Sequence, residues 1–213
     1  MTRRMLMTVF GAATVALVAA GCSGGSAAPP ATAPPAASSS SAAAGLPHSG
    51  APKVEHPLPE SVLSGQPCQE ALTSGQLDEI FGMVPQGKPD TLAGIGPKCR
   101  WANIDSGAGL SVFYATQPRH GLSGLYQNSK PRAKVWRVLP PIQGFPAIAF
   151  STDDAETSIR NGLCQVSVGI SDELTVDVGL TPGESKMGKV DPCDLSARVA
   201  DTVVSNLKRK AGA

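Results

Sequence analysis

Five cysteines are the side chains of this 213-residue sequence with the most chemistry open to them: acylation, disulfide formation, metal ligation and nucleophilic attack. Cys22 differs from the others in what precedes it. Arg3 and Arg4 lead into an uncharged stretch from Met5 to Ala20, and Ala19-Ala20-Gly21 bring small residues up to the sulfur. A basic start, a short apolar run and a small-residue box make an export leader. The run is shorter than the roughly 20 apolar residues of a spanning helix. A cysteine directly after such a box is where a bacterial lipoprotein receives S-diacylglycerol and, after cleavage, an N-acyl chain. Ala19 stands where leucine is usual, so the alternative is an ordinary secretory leader with an incidental cysteine. Each buried CH₂ contributes about 0.8 kcal/mol and a single chain holds only reversibly. Two or three chains at Cys22 therefore predict durable attachment to the cell membrane, on its extracytoplasmic face.

Cys68, Cys99, Cys164 and Cys193 remain. In an exported domain four cysteines are most simply two disulfides, with three connectivities open. Zinc would need ligands in close pairs, whereas no two of these lie closer than about 30 residues. No metal and no cofactor is expected. Sequence order favours Cys68–Cys99 and Cys164–Cys193, each closing a loop of about 30 residues that contributes roughly 3 kcal/mol.

These cysteines need elements to hold them. Thr73 and Gln76 form a capping box ahead of Leu77, Ile80 and Phe81, with Gly82 as a stop. Asp191 and Pro192 open a second helix, in which Leu195, Val199, Val203 and Leu207 recur every fourth residue. Lys208, Arg209 and Lys210 suit the negative end of its dipole. Pro-Cys introduces both helices, so each start can be pinned to a strand carrying the partner cysteine. Cys164 to Ile170 and Leu174 to Leu180 alternate apolar and polar, predicting an antiparallel hairpin with one wet face. A second hairpin is expected from Cys99 to Ala115 through the turn at Asp105–Gly109. Two more strands are expected at Val135–Leu139 and Pro146–Phe150. The fold class predicted is α+β: an antiparallel sheet of hairpins packed with an N-terminal and a C-terminal helix.

Residues 1–21 are thus read as leader and 60–213 as the extracytoplasmic domain. Between them, residues 22–59 hold Cys22 and a tether rich in Ala, Pro and Ser that lacks aromatics. Such composition buries too little apolar surface to offset ordering entropy. The tether is expected to be disordered, with His48 and His56 free of fixed neighbours.

The Pro-Cys ahead of a Leu-Thr helix opening, the Cys99-Arg100-Trp101 strand and the late cysteine pair flanking a hairpin resemble a family of actinobacterial, mycobacterial-type cell-envelope lipoproteins. That family is catalogued as a domain of unknown function. Gly75 departs from it, standing in the first helical turn where relatives carry acidic residues. The resemblance implies location and brings no activity.

Motif by motif, catalysis finds little support. His120 is the domain's only histidine, and Gly121-Leu122-Ser123-Gly124 is not a nucleophile elbow. No phosphate-binding loop or paired-histidine motif occurs. Asp153, Asp154 and Glu156 read as a solvated turn, and no catalytic residue is assigned. The formal charge of +1 becomes −1 once Arg3 and Arg4 leave with the leader, so nucleic acid is not an expected partner. One asymmetry stands out. Between Asp105 and Asp153 there is no acidic residue, while Arg119, Lys130, Arg132, Lys134 and Arg137 fall in that interval with Tyr126 and Trp136. They form a candidate anion-binding patch for anionic lipid, envelope glycan or an envelope protein. Trp101 and Trp136 are read as packing residues. The function expected is a non-catalytic binding or scaffolding domain of unstated specificity; the alternative is an extracytoplasmic carrier of a lipid or small molecule.

Overall fold

The computed structural model describes residues 45–213; the expected leader, Cys22 and the first part of the expected tether lie outside the described residues. Seven strands form one sheet: β1 (Lys88–Leu92), β2 (Gly96–Asn103), β3 (Ala108–Ala115), β4 (Val135–Ile142), β5 (Phe145–Ser151), β6 (Gln165–Gly169) and β7 (Thr175–Thr181). Their order is β1-β2-β3-β7-β6-β5-β4, and every pairing is antiparallel. Two meanders, β1–β3 and β4–β7, therefore meet at the β3–β7 seam. The described helices are α1 (Pro67–Glu70), α2 (Ser74–Phe81), α3 (Gly121–Asn128), α4 (Ala155–Asn161) and α5 (Pro192–Ala211). The fold is α+β, as predicted.

Local chemistry sets the helix ends. Thr73 accepts from Gln76 N–H while the Gln76 side chain accepts from Thr73 N–H, and Gly82 closes α2 in the left-handed region at φ 69°. Asp191 caps α5 through the Cys193 N–H at 2.8 Å, with Pro192 at the first position. Burial pushes the Asp191 carboxyl up, but the Arg137 guanidinium at 2.7 Å and the Cys193 N–H together hold it below the usual range. Val199, Val203 and Leu207 then face the sheet and are buried, together with Ala200 and Val204. Opposite them on one face lie Val112, Tyr114, Val166, Val168, Val176 and Val178. Trp101 belongs to this core.

Both disulfides have the pairing that sequence order favours. Cys68–Cys99 joins α1 to β2, and Cys164–Cys193 joins the start of β6 to the start of α5, each with Cα atoms 5.0 Å apart. Pro67-Cys68 opens only the one-turn α1; the chain breaks before α2 begins.

Three expectations need correction. The tether boundary at 59 lies too late, because residues 45–59 pack on the domain. Val54 and Leu58 are buried; Leu58 N–H donates to the Ile170 carbonyl and Val54 N–H to Asp172 Oδ1, both at 2.9 Å. Two apolar side chains and these bonds supply the burial that the stretch's overall composition hides. His48, expected without fixed neighbours, donates its backbone N–H to Ser123 Oγ at 2.9 Å, and its ring centroid lies 6.2 Å from that of His120. Finally, most of the polar face of the β6–β7 hairpin is not wet: Ser167, Thr175 and Asp177 are buried, and only Gln165, Gly179 and Thr181 at one end are half-buried.

Candidate functional site

The cover over that second face is α3. Local sequence does not mark this helix, because Gly121 and Gly124 interrupt it and its first turn carries no side-chain cap. Its apolar residues do keep helical spacing: Leu122 and Tyr126 are buried, and Leu125 packs beside them. Two glycines allow the close approach. At Gly169 of β6 a Cβ would meet Leu122 Cδ1 at 2.9 Å. At Gly121, with φ at 48°, one would meet the Asp172 carbonyl oxygen at 2.3 Å, and the Gly121 N–H donates to the Glu173 carbonyl. Ile148 completes a small cluster with Leu122 and Tyr126, against which Trp136 and Phe150 pack.

This second face falls into two parts. Beneath α3, β-strand pairing places Phe113, Asp177, Ser167 and Ile148 side by side. Asp177 is 6% exposed, and neither its Oδ1 nor Ser167 Oγ has a hydrogen-bond partner among the described residues. Burial raises the Asp177 carboxyl to about 6, with the Ser167 and Thr175 hydroxyls opposing the rise. A recess of about 200 Å³ opens between α3, the Ile95 turn and β7, lined in part by Asp177, Thr175, His120 and Leu125.

Away from α3 the face is uncovered. A trough of about 690 Å³ lies between the Met83–Gln86 loop, the β2–β3 turn and the ends of β3 and β7. It shares Ser111, Gly179 and Thr181 with a further hollow of about 390 Å³ that reaches Phe150 and Leu163. Its rim carries apolar side chains in solvent: Ile104 is 92% exposed, Val84 53% and Met83 43%.

Two of the five residues of the expected anion-binding patch are paired with carboxylates. Arg119 is held by Glu60, at 2.5 Å, and by Glu173; these bonds raise its guanidinium further and lower the Glu60 carboxyl. Arg137 pairs with Asp191 at 2.7 Å. The run without acidic residues meets its carboxylates from elsewhere in the chain. Lys130, Arg132 and Lys134 are left around the α3–β4 connection. Lys130 Nζ lies 4.9 Å from the Tyr126 ring centroid and 5.8 Å from that of Trp136, and Arg132 Nε donates to the Asn128 carbonyl. Trp136 packs edge-on to Tyr126.

The acidic group is a helix start. Asp154 caps α4 through the Thr157 N–H at 2.9 Å, a bond that with the Thr157 hydroxyl lowers its carboxyl, and Glu156 pairs with Arg160. All four cysteines of the domain are consumed in disulfides, so none is a thiol nucleophile. No described helix is long and apolar enough to cross a membrane.

No curated protein and no solved structure matches the chain. A family model described as "Protein of unknown function (DUF3558)" matches residues 17–206, which takes in Cys22 and nearly all of the described residues. The chain belongs to the DUF3558 family.

Proposed function

We propose that this chain is a lipid-anchored envelope lipoprotein of the actinobacterial type, held at Cys22 on the extracytoplasmic face of the cell membrane. Its domain binds a partner and turns over no substrate. The anchor rests on the leader and its small-residue box. The observation that carries the binding role is the uncovered half of the sheet. A trough of about 690 Å³ rimmed by Met83, Val84 and Ile104 exposes apolar side chains that the fold does not use. Large apolar side chains exposed together on the rim of one trough are a feature of interaction sites. The carrier reading is second. The recess beneath α3 supports it, but at about 200 Å³ it falls below the roughly 300–1,000 Å³ of ordinary ligand pockets. It can take a head group, not an acyl chain.

The test is photocrosslinking in intact cells with benzoylphenylalanine at Ile104, Val84 or, as control, Arg198 on the outer side of α5. A discrete adduct from Ile104 and Val84 alone is the expected result. No adduct, or the same adducts from Arg198, would count against the trough. Loss of membrane association in Cys22→Ala is expected alongside, and retention would count against the anchor.

A further inference from the structure

We propose that the recess beneath α3 binds a small organic amine, with the Asp177 carboxylate as the group that receives its ammonium. This site is separate from the trough and does not depend on the trough being a binding face. A buried charge is ordinarily paired or coordinated, because leaving it alone in a low-dielectric interior is costly. Asp177 is 94% out of solvent, yet its Oδ1 has no partner among the described residues. The described cations that flank the recess are engaged elsewhere. No lysine or arginine lines the recess. Arg119 and Lys130 flank α3 at equal distance in sequence; Arg119 is held by Glu60 and Glu173, and Lys130 lies over the Tyr126 and Trp136 rings. Lys98, on the same sheet face beyond Phe113, pairs with Asp90 at 3.5 Å and sits over the Phe113 ring. His120 and Glu173 lie on the lining, and Glu173 already serves Arg119.

The rest of the recess fits the other end of such a ligand. Ile95, Ala115, Pro118 and Leu125 offer apolar wall for a few methylenes. Asn128 and Thr175 can accept the ammonium hydrogens that Asp177 does not. A divalent cation fits worse, because calcium takes six to eight oxygen ligands, roughly, and magnesium a near-ideal octahedron. Ionisation of Asp177, raised to about 6 by burial, makes amine binding a property of neutral pH. Below that value the carboxyl is neutral and the attraction is lost.

The experiment is a titration of the ¹⁵N-labelled mature full-length chain with n-butylammonium chloride, followed by amide shifts, with potassium chloride at equal concentration as the second arm. The amides of Gly121, Gly124 and Thr175 should shift saturably with the amine and stay still with potassium. Affinity should fall about tenfold between pH 7.5 and pH 5, and at least tenfold in Asp177→Asn. Leu125→Trp, which fills the recess without touching the carboxylate, should block binding too, and the spectra themselves report whether either variant is folded. Absence of saturable shifts, equal shifts with potassium, or unchanged binding in a folded Asp177→Asn protein would overturn the assignment.

Discussion

Beneath α5, Ser196 Oγ accepts the Leu180 N–H at 3.0 Å and donates to the Cys164 carbonyl at 3.0 Å, closing a buried polar gap between helix and sheet. Beneath α3, Asp177 Oδ1 and Ser167 Oγ, on paired residues of adjacent strands, have no partner among the described residues. Trp136 Nε1 joins them. The sheet is the same, and both helices lie on it, but the two faces are finished differently. The α5 face is a continuous apolar core anchored by a disulfide at the helix start. Tyr114 is its exception, with an unpartnered hydroxyl whose ionisation is suppressed by burial and then by the Glu70 charge. The α3 face pairs a three-residue apolar cluster with unsatisfied polar atoms and an open trough. Buried polar groups left unmatched lower stability. Their concentration on one face separates the part of the domain that holds it together from the part available to a ligand.

The sharpest way to break this comparison is to truncate one leucine on each side. Leu207→Ala, at a fully buried site of α5, should cost about 2–5 kcal/mol in urea unfolding. Leu122→Ala, in the small cluster of α3, should cost about 2 kcal/mol or less, because loss from a small cluster leaves less unfilled. Equal costs would mean that α3 is as integral to the core as α5. A smaller effect should distinguish the two serines. Ser196→Ala strands a donor and an acceptor and should destabilise by about 1–3 kcal/mol, whereas Ser167→Ala strands neither and should cost less than about 1 kcal/mol, through a weaker hold on the Asp177 carboxylate.

The sequence was most readable where pattern and chemistry coincide. The α5 helix announces itself by cap, proline and four-residue repeat, and the two hairpins by alternation; the cysteine order agreed with both disulfides. What stayed hidden lacks one of those signals. β1 is exposed along its whole length, so Lys88–Leu92 carries no apolar period. α4 has a cap and a stop but buries only Ser158. The α3 helix holds its apolar spacing across two glycines, and missing it had the largest consequence. Alternation in β7 placed Asp177 on an outward face, which is correct. Whether outward means wet depends on a helix that returns from elsewhere in the chain, and no local pattern in β7 can say that. The same long-range logic pairs two cations of the basic patch. Arg119 and Arg137 lie in a stretch without acids and find Glu60, Glu173 and Asp191 across the fold.

The measurement that bears most directly on the division between the faces is the pH dependence of stability in the wild-type chain and in Asp177→Asn. In the unfolded chain the carboxyl loses its proton near 3.8, and in the folded domain only near 6. Between those values the folded state binds the extra proton at Asp177, so this residue's contribution to wild-type stability falls as pH rises through about 6, against the opposite contributions of Glu60, Asp154 and Asp191 that both proteins share. The asparagine variant, which has no proton to lose, should match the wild type near pH 3 and exceed it by about 3 kcal/mol at pH 7. Parallel curves, or a variant less stable than the wild type at pH 7, would mean that Asp177 is a satisfied structural carboxylate and that the α3 face is not set apart.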